Sequence, residues 1–489
     1  MITLTFAQKE NIGFQYVLDL LRPSSPYGEE LVRNLKPLQP TEKTELLRQL
    51  GNVHRVLERE LSCQKPLKHL LTVFMTVKNV RATVQKCMET TLNEIELFNV
   101  KSFLLACSHL LPLFREIQPI LQLEGIWLED TDSALDLLDP EHNRIASFFI
   151  SDSSSQLLRT LRKEKRAQEE RIRRSPAGEE RDAAQALRRK IAAEEEQEEM
   201  RIRTELSASL RPHIPAILHN MDMIGQIDLT VEKARLARRY GGVMPVLTEH
   251  TLDMTDMVNP KISDLLEKQG KSFTPISIAL RKGTTVITGA NMGGKSVALK
   301  TIALNVLLIH CGFLPFAKVA SVPLFDGIHI ISEDRESIDC GLSSFGGEIV
   351  CFNQVVDRLK DGFPLILLDE FARGTNPDEG AAIVQSVAAY LNRQNAVTVL
   401  ATHYDDVARW GSAHYQVIGL KEMDVEKLRK ELAATPGDAG VELIGRHMDY
   451  GLYQVTGELD CPRDALNICR LLGMKTELVE MIEKNLDKS

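Results

Sequence analysis

The sequence predicts a long α-helical region followed by an α/β domain, on three observations. Apolar residues recur at three- and four-residue spacing from Leu18 to Ala237, the mark of helices with one buried face. Between Arg159 and Arg203 lie 14 Lys/Arg and 11 Asp/Glu of interspersed sign, which suits long solvated helices. From about residue 240, short β-rich apolar runs alternate with helical patterns, which is how a sheet flanked by helices is written.

A chain of 489 residues has room for about three domains, and 43% hydrophobic content can fill their cores. The net charge is -9, with a pI near 5.8, so nothing global draws the chain to nucleic acid, although a local basic patch can still do so. The eight cysteines show no C-x-x-C pair and no metal-ligand spacing; they read as reduced thiols of a cytoplasmic protein. Met1-Ile2-Thr3-Leu4-Thr5 carries no basic n-region or long apolar run, so no signal peptide is expected. The apolar stretch Ile302–Ile309 is far too short to span a bilayer, and no membrane contact is expected.

Taken in order, residues 1–152 read as a helical core. Leu18, Leu21, Leu31, Leu35, Leu46, Leu50, Val53, Val56 and Leu57 keep the helical spacing, and Pro23-Ser24-Ser25-Pro26 ends one helix and starts the next. Residues 153–238 read as two long helices broken at Ser175-Pro176-Ala177-Gly178, then a third through Leu206, Leu210, Ile214, Leu218, Met221 and Ile224. Twenty helical residues span about 30 Å, so the charged pair forms a protruding arm with Arg171, Arg173 and Arg174 near its tip. Those arginines read first as a solvated face laced by i,i+4 ion pairs, and second as a contact for a phosphate backbone or an acidic partner. Gly241-Gly242 then opens the third region, 239–489.

The chemistry lies in that region. Thr288-Gly289-Ala290-Asn291-Met292-Gly293-Gly294-Lys295-Ser296 follows the β-rich run Thr284–Thr288 and precedes the helical pattern Val297–Ile309. This is Gly-x-x-x-x-Gly-Lys-Ser between strand and helix, a P-loop. Its glycines let the backbone aim successive N–H groups at phosphate oxygens, Lys295 supplies a point charge, and Ser296 offers a hydroxyl to Mg²⁺. The helix opening at Lys295 turns its positive end to the same anion. Leu365-Ile366-Leu367-Leu368-Asp369-Glu370 reads as a buried strand that delivers Asp369 to the Mg²⁺ shell and Glu370 to the attacking water. Val397–Ala401 is a second buried strand, leading through Thr402 to His403, where a γ-phosphate sensor fits. Leu342-Ser343-Ser344-Phe345-Gly346-Gly347-Glu348, after the acidic Glu333-Asp334-Arg335-Glu336, is a Ser- and Gly-rich turn with the donors of an anion site.

Together these segments resemble the MutS family of ATPases. The Asn291-Met292-Gly293-Gly294 centre is close to that family's P-loop; Ser343-Ser344-Phe345 resembles its Ser-Thr-Phe signature; Asp369-Glu370-Phe371-Ala372-Arg373-Gly374-Thr375 resembles its Asp-Glu-x-x-x-Gly-Thr stretch; and Ala401-Thr402-His403-Tyr404 matches its Ala-Thr-His-Tyr. Asn467-Ile468-Cys469-Arg470-Leu471-Leu472-Gly473-Met474 resembles its closing helix. Asn376-Pro377-Asp378-Glu379-Gly380, Pro26–Leu31 and Asp228–Ala237 are similar to the branch without a mismatch-reading domain that is linked to recombination suppression. Set against the family, the sequence leads to the expectation of a shortened or absent clamp between the lever helices and of no carboxy-terminal nuclease domain. Phe114-Arg115-Glu116 has the form of a mismatch-reading Phe-x-Glu but falls in a helical stretch and is taken as coincidence.

The resemblance implies a helical core (1–152), lever helices (153–238) and an ABC-type P-loop ATPase domain with carboxy-terminal dimerisation helices (239–489). It implies ATP and Mg²⁺ as cofactors and a homodimer that sandwiches two nucleotides. Gly289, Ala290, Asn291, Met292, Gly293, Gly294, Lys295, Ser296 and Val297 would hold the nucleotide, with Ser343 acting in trans. Ser296 and Asp369 would hold the metal, and Glu370, His403 and Lys295 would carry catalysis. The expected activity is ATP hydrolysis coupled to conformational change on duplex or branched DNA, in mismatch repair or recombination. The alternative is a protein-remodelling or reactivating factor for an adenosylcobalamin-dependent amino-acid aminomutase.

Overall fold

Pro23-Ser24-Ser25-Pro26 shows how the chain is punctuated. The first two helices, α1 (Phe6–Asn11) and α2 (Phe14–Leu20), end before it, and the Ser25 hydroxyl accepts the Gly28 N–H at 3.0 Å to start α3 (Pro26–Arg33) with Pro26 in the first turn. The computed structural model describes residues 2–152, 154–289, 294–332, 344–359, 362–419, 449–456 and 474–486. The chain divides into two compact units that interleave along the sequence: Met1–Leu21, Leu35–Leu57 and Lys233–Ser489 form one, Arg22–Asn34 and Glu58–Glu232 the other.

The second unit is helical. After α4 (Lys43–Arg59), whose last residues enter it, come α5 (Gln64–Phe74), α6 (Arg81–Cys87), α7 (Glu94–Leu121) and α8 (Asp132–Leu138). Helix α7 begins in a capping box of Asn93 and Glu96 and buries Leu97, Val100, Phe103, Leu104, Leu110 and Ile117. By length and composition this helix is apolar enough to cross a bilayer, and 61% of its apolar window is buried inside the protein. A helix packed on most of its circumference is written apolar all round whether lipid or protein surrounds it. Its one buried cation, Lys101, is paired with Asp139 at 2.9 Å. Phe114 is buried in the same core.

Helices α9 (Gln156–Arg174) and α10 (Glu179–Leu210) form the arm, broken where Ser175–Gly178 was expected to break it. Their pairing is antiparallel: Arg162 meets Glu195 (3.2 Å) and Glu199 (2.8 Å), Arg188 meets Glu169 (2.8 Å), and Arg171 meets Glu180 (3.7 Å). Arg173 and Arg174 both reach Glu170. The tip arginines thus stand among carboxylates, which favours the solvated-face reading.

Helix α11 (Ile214–Tyr240) runs on into the first unit, where α12 (Pro260–Lys268), α13 (Lys295–His310), α14 (Ser344–Arg358) and α15 (Pro377–Leu391) accompany two sheets. The smaller sheet has the order β1 (Val246–Thr248), β5 (Val319–Pro323), β2 (Leu252–Met257), β3 (Ile276–Leu280). The larger runs β10 (Asp449–Gln454), β9 (Ala413–Gly419), β4 (Gly283–Thr288), β8 (Val397–Ala401), β7 (Leu365–Asp369), β6 (Ile328–Ile331), parallel except at β10. Strands β4, β7 and β8 are buried on both faces, which is why they are written as unbroken apolar or β-branched runs. The amino-terminal segments belong to this unit physically: Gln8 Nε2 donates to the Ile330 carbonyl (3.1 Å), and Leu38 N–H to that of His310 (2.8 Å).

Candidate functional site

Strands β4, β8 and β7 lie side by side and in register, with Ile287 opposite Ala401 and Ala401 opposite Asp369. Because the three are parallel, their carboxyl ends open along one edge, where α/β sheets bind ligands. Each motif leaves one of these ends. Two backbone bonds extend the ladder past the strands, Thr402 N–H to the Ile287 carbonyl (3.0 Å) and Glu370 N–H to that of Ala401 (3.0 Å).

Strand β4 leads to Gly289, at φ +131°, and α13 begins at Lys295 behind Gly294, at φ +92°. Both glycines occupy backbone conformations that side chains rarely adopt. Ala290, Asn291, Met292 and Gly293 lie outside the described residues. The Lys295 ammonium is buried; it donates to the Gly289 carbonyl at 2.6 Å and stands 3.8 Å from Glu370 Oε1. Val297 follows, half-buried in the first turn of α13.

Asp369 ends β7 with its carboxyl largely buried. Burial pushes its pKa up, the Ser296 hydroxyl that donates to it pulls it down, Glu370 pushes it up, and Lys300 and Lys295 pull it down. Its Oδ1 is buried with no hydrogen-bond partner among the described residues. A buried, unsatisfied carboxylate oxygen beside a hydroxyl fits a hard divalent cation, so Ser296 and Asp369 suit Mg²⁺. Glu370 follows at φ +49°, and its Oε2 accepts from Arg373 Nη1 at 2.5 Å. His403 lies just beyond the end of β8, exposed, with its ring 4.1 Å from that of Tyr404. Ser343 lies outside the described residues, as do Glu333–Glu336 and most of the closing motif; α14 begins at the next residue, Ser344. Gly289, Asp369, Glu370 and His403 thus stand at or just beyond three adjacent strand ends, and Lys295, at the start of α13, reaches Gly289 and Glu370 there.

Two residues with no assigned role also reach this edge. Glu348 on α14 is buried and accepts the Ala372 N–H at 2.8 Å. Tyr450 on β10 packs so tightly on Gly294 that a Cβ there would lie 2.6 Å from its ring. Glu348 stands in a segment singled out as a Ser- and Gly-rich turn; its Ser344–Glu348 part is helical instead, the start of α14, so the signal was an acid after Gly346-Gly347. Tyr450 carried none, since only the sheet order brings it to the loop.

Residues 285–453 match the family model of MutS domain V. This segment is MutS-like. The resemblance drawn from the motifs is therefore borne out by a match that spans β4 to β10. The chain is 33% identical over 265 residues to the Endonuclease MutS2 of Geobacillus sp. (strain WCH70), a match covering 51% of this chain and 32% of that protein. It is 32% identical over 254 residues to that of Symbiobacterium thermophilum, covering 51% and 31%. With that of Acetivibrio thermocellus it shares 31% identity over 300 residues, covering 59% and 36%. The matched part of the chain spans about a third of the length of these curated MutS2 relatives.

Proposed function

We propose that this chain is a MutS-type ATPase that couples ATP binding and hydrolysis to conformational change on DNA, in repair or recombination. The observation that carries the reading is the convergence of Lys295, Asp369 and Glu370 on adjacent parallel strand ends, with Lys295 Nζ 3.8 Å from Glu370.

The loop from Gly289 to Val297 holds the phosphates through its backbone N–H groups, and Lys295 leaves the Gly289 carbonyl to reach the β- and γ-phosphates. Bound Mg²⁺ would supply charge neutralisation for the transferring phosphoryl group. Ser296 and Asp369 would hold it. Glu370 orients and deprotonates the attacking water, and His403 senses the γ-phosphate. Hydrolysis of this kind rests on positioning and charge more than on covalent chemistry. Ser343 acts on the nucleotide of a second copy in a homodimer, and the chain works in the cytoplasm. The helical unit with its arm carries the motion outward. DNA as the partner is supported by the family resemblance and by the relatives' name, endonuclease.

The test is the ATPase rate of the purified chain with and without duplex or branched DNA, alongside Glu370→Gln. Turnover should fall at least about 100-fold in that variant with ATP binding kept. A variant that hydrolyses at the parent rate overturns the assigned base. DNA that neither binds at low salt nor alters the rate overturns the choice of partner.

A further inference from the structure

We propose that Glu348 is a positioning residue for Glu370, which makes α14 the element that sets the geometry of the hydrolytic carboxylate; this rests on the role given to Glu370 above. The turn after β7 is unusual. Glu370 stands at φ +49° and Ala372 at φ +60°, so two residues with side chains occupy the left-handed region within three positions. Such a conformation persists only where the surroundings over-determine it.

One face of α14 supplies much of that constraint. The buried Glu348 carboxylate accepts the Ala372 N–H at 2.8 Å. Phe352, one helical turn further on, packs its ring 5.4 Å from that of Phe371, which is itself buried. Opposite, the Ala372 carbonyl faces Gly380, where a Cβ would lie 3.0 Å from that oxygen and 2.5 Å from the Tyr404 hydroxyl. The turn is thus gripped by α14 on one side and closed by α15 and Tyr404 on the other. A carboxyl group is placed in an apolar core only at a cost that its interactions must offset, and one of those is the bond from the Ala372 N–H in the turn. Without it the backbone is free to relax towards ordinary φ, swinging Glu370 away from Lys295. Misplacement of a catalytic group by about 1 Å can lower turnover about 100-fold. Because α14 carries Glu348, any displacement of this helix reaches Glu370 through the same bond.

Glu348→Ala, Glu348→Asp, Glu348→Gln and Glu370→Gln are compared with the parent for steady-state hydrolysis, for affinity by titration with a fluorescent ATP analogue, and for thermal midpoint. Glu348→Ala should lose about 10- to 100-fold in kcat while its affinity stays within about threefold. Glu348→Gln keeps an acceptor oxygen at the same reach and should restore most of the rate. Glu348→Asp, one methylene shorter, should behave like Glu348→Ala with its thermal midpoint kept, and it decides the matter if the alanine variant does not fold. Parent-like turnover in Glu348→Asp, a folded Glu348→Gln as impaired as Glu348→Ala, or an equal loss of affinity and rate overturns the proposal. If Glu370→Gln hydrolyses at the parent rate, the site assignment falls and this proposal with it; if Glu370→Gln is inactive and the Glu348 variants are parent-like, only this proposal falls.

Discussion

Asp228 Oδ2 accepts both the N–H and the hydroxyl of Ser25, each at 2.6 Å. Its Oδ1 takes the Ser24 N–H at 3.0 Å, and the carboxyl is fully buried. Three donors thus meet one carboxylate at the break that starts α3. Asp228→Ala leaves them without an acceptor and should destabilise the protein by about 2–4 kcal/mol, read from the urea midpoint.

The same carboxyl gives a pH signature. Burial, the largest influence, raises its pKa above the usual 3.8 despite the serine donors. A carboxyl with a raised folded pKa binds more protons folded than unfolded. Its contribution is therefore fullest below the unfolded value and is lost as pH climbs through the folded one. Asp228→Asn should flatten the fall of stability with rising pH just above pH 3.8, and an unchanged slope in that variant would refute the assignment.

Lys295 is held by its own loop, donating to Gly289 at 2.6 Å, rather than pointing freely at solvent. Lys295→Ala removes both that tether and the charge for the phosphates. ATP affinity should drop about 30- to 100-fold in a fluorescent-nucleotide titration, corresponding to about 2–3 kcal/mol for bonds to a charged group.

Asp369 is pushed upward by burial, so it takes a proton at a pH where an exposed aspartate is still charged. Protons and Mg²⁺ then compete for it. Mg²⁺-dependent ATP binding should weaken as pH falls towards the raised value, while Asp369→Asn binds Mg²⁺ at least about tenfold more weakly and without that pH dependence. Isothermal titration at several pH values measures both.

Gly294 faces two obstacles to substitution, its φ of +92° and the Tyr450 ring. Gly294→Ala should lower stability by about 1–3 kcal/mol, with Tyr450→Ala in the same chain recovering the steric part and not the backbone part. Thermal midpoints of the single and double variants separate the two.

The three strands of the site were legible because buried parallel strands are written as continuous apolar runs, and because Gly289, Gly294, Lys295, Asp369 and Glu370 are local signals at strand ends. The arm was legible for a similar reason: charge density and a Ser-Pro-Ala-Gly break are properties of consecutive residues. The Glu348–Ala372 bond and the Tyr450–Gly294 contact were not, since each joins elements that only the fold brings together.

The interleaving of the two units sets a timetable for the chain as it leaves the ribosome. Met1–Leu21 and Leu35–Leu57 emerge well ahead of the rest of their unit, which starts only at Lys233, some 175 residues later. At elongation speeds of about 5–20 residues per second, that is a wait of about 10–35 s. During it α2 lacks its packing partners α12 and α13, while the helical unit is already available to fold. Nascent chains stalled before residue 233 are therefore the species most in need of a chaperone. A fragment cut at the start of the α/β region would lack segments that its own core was built to receive.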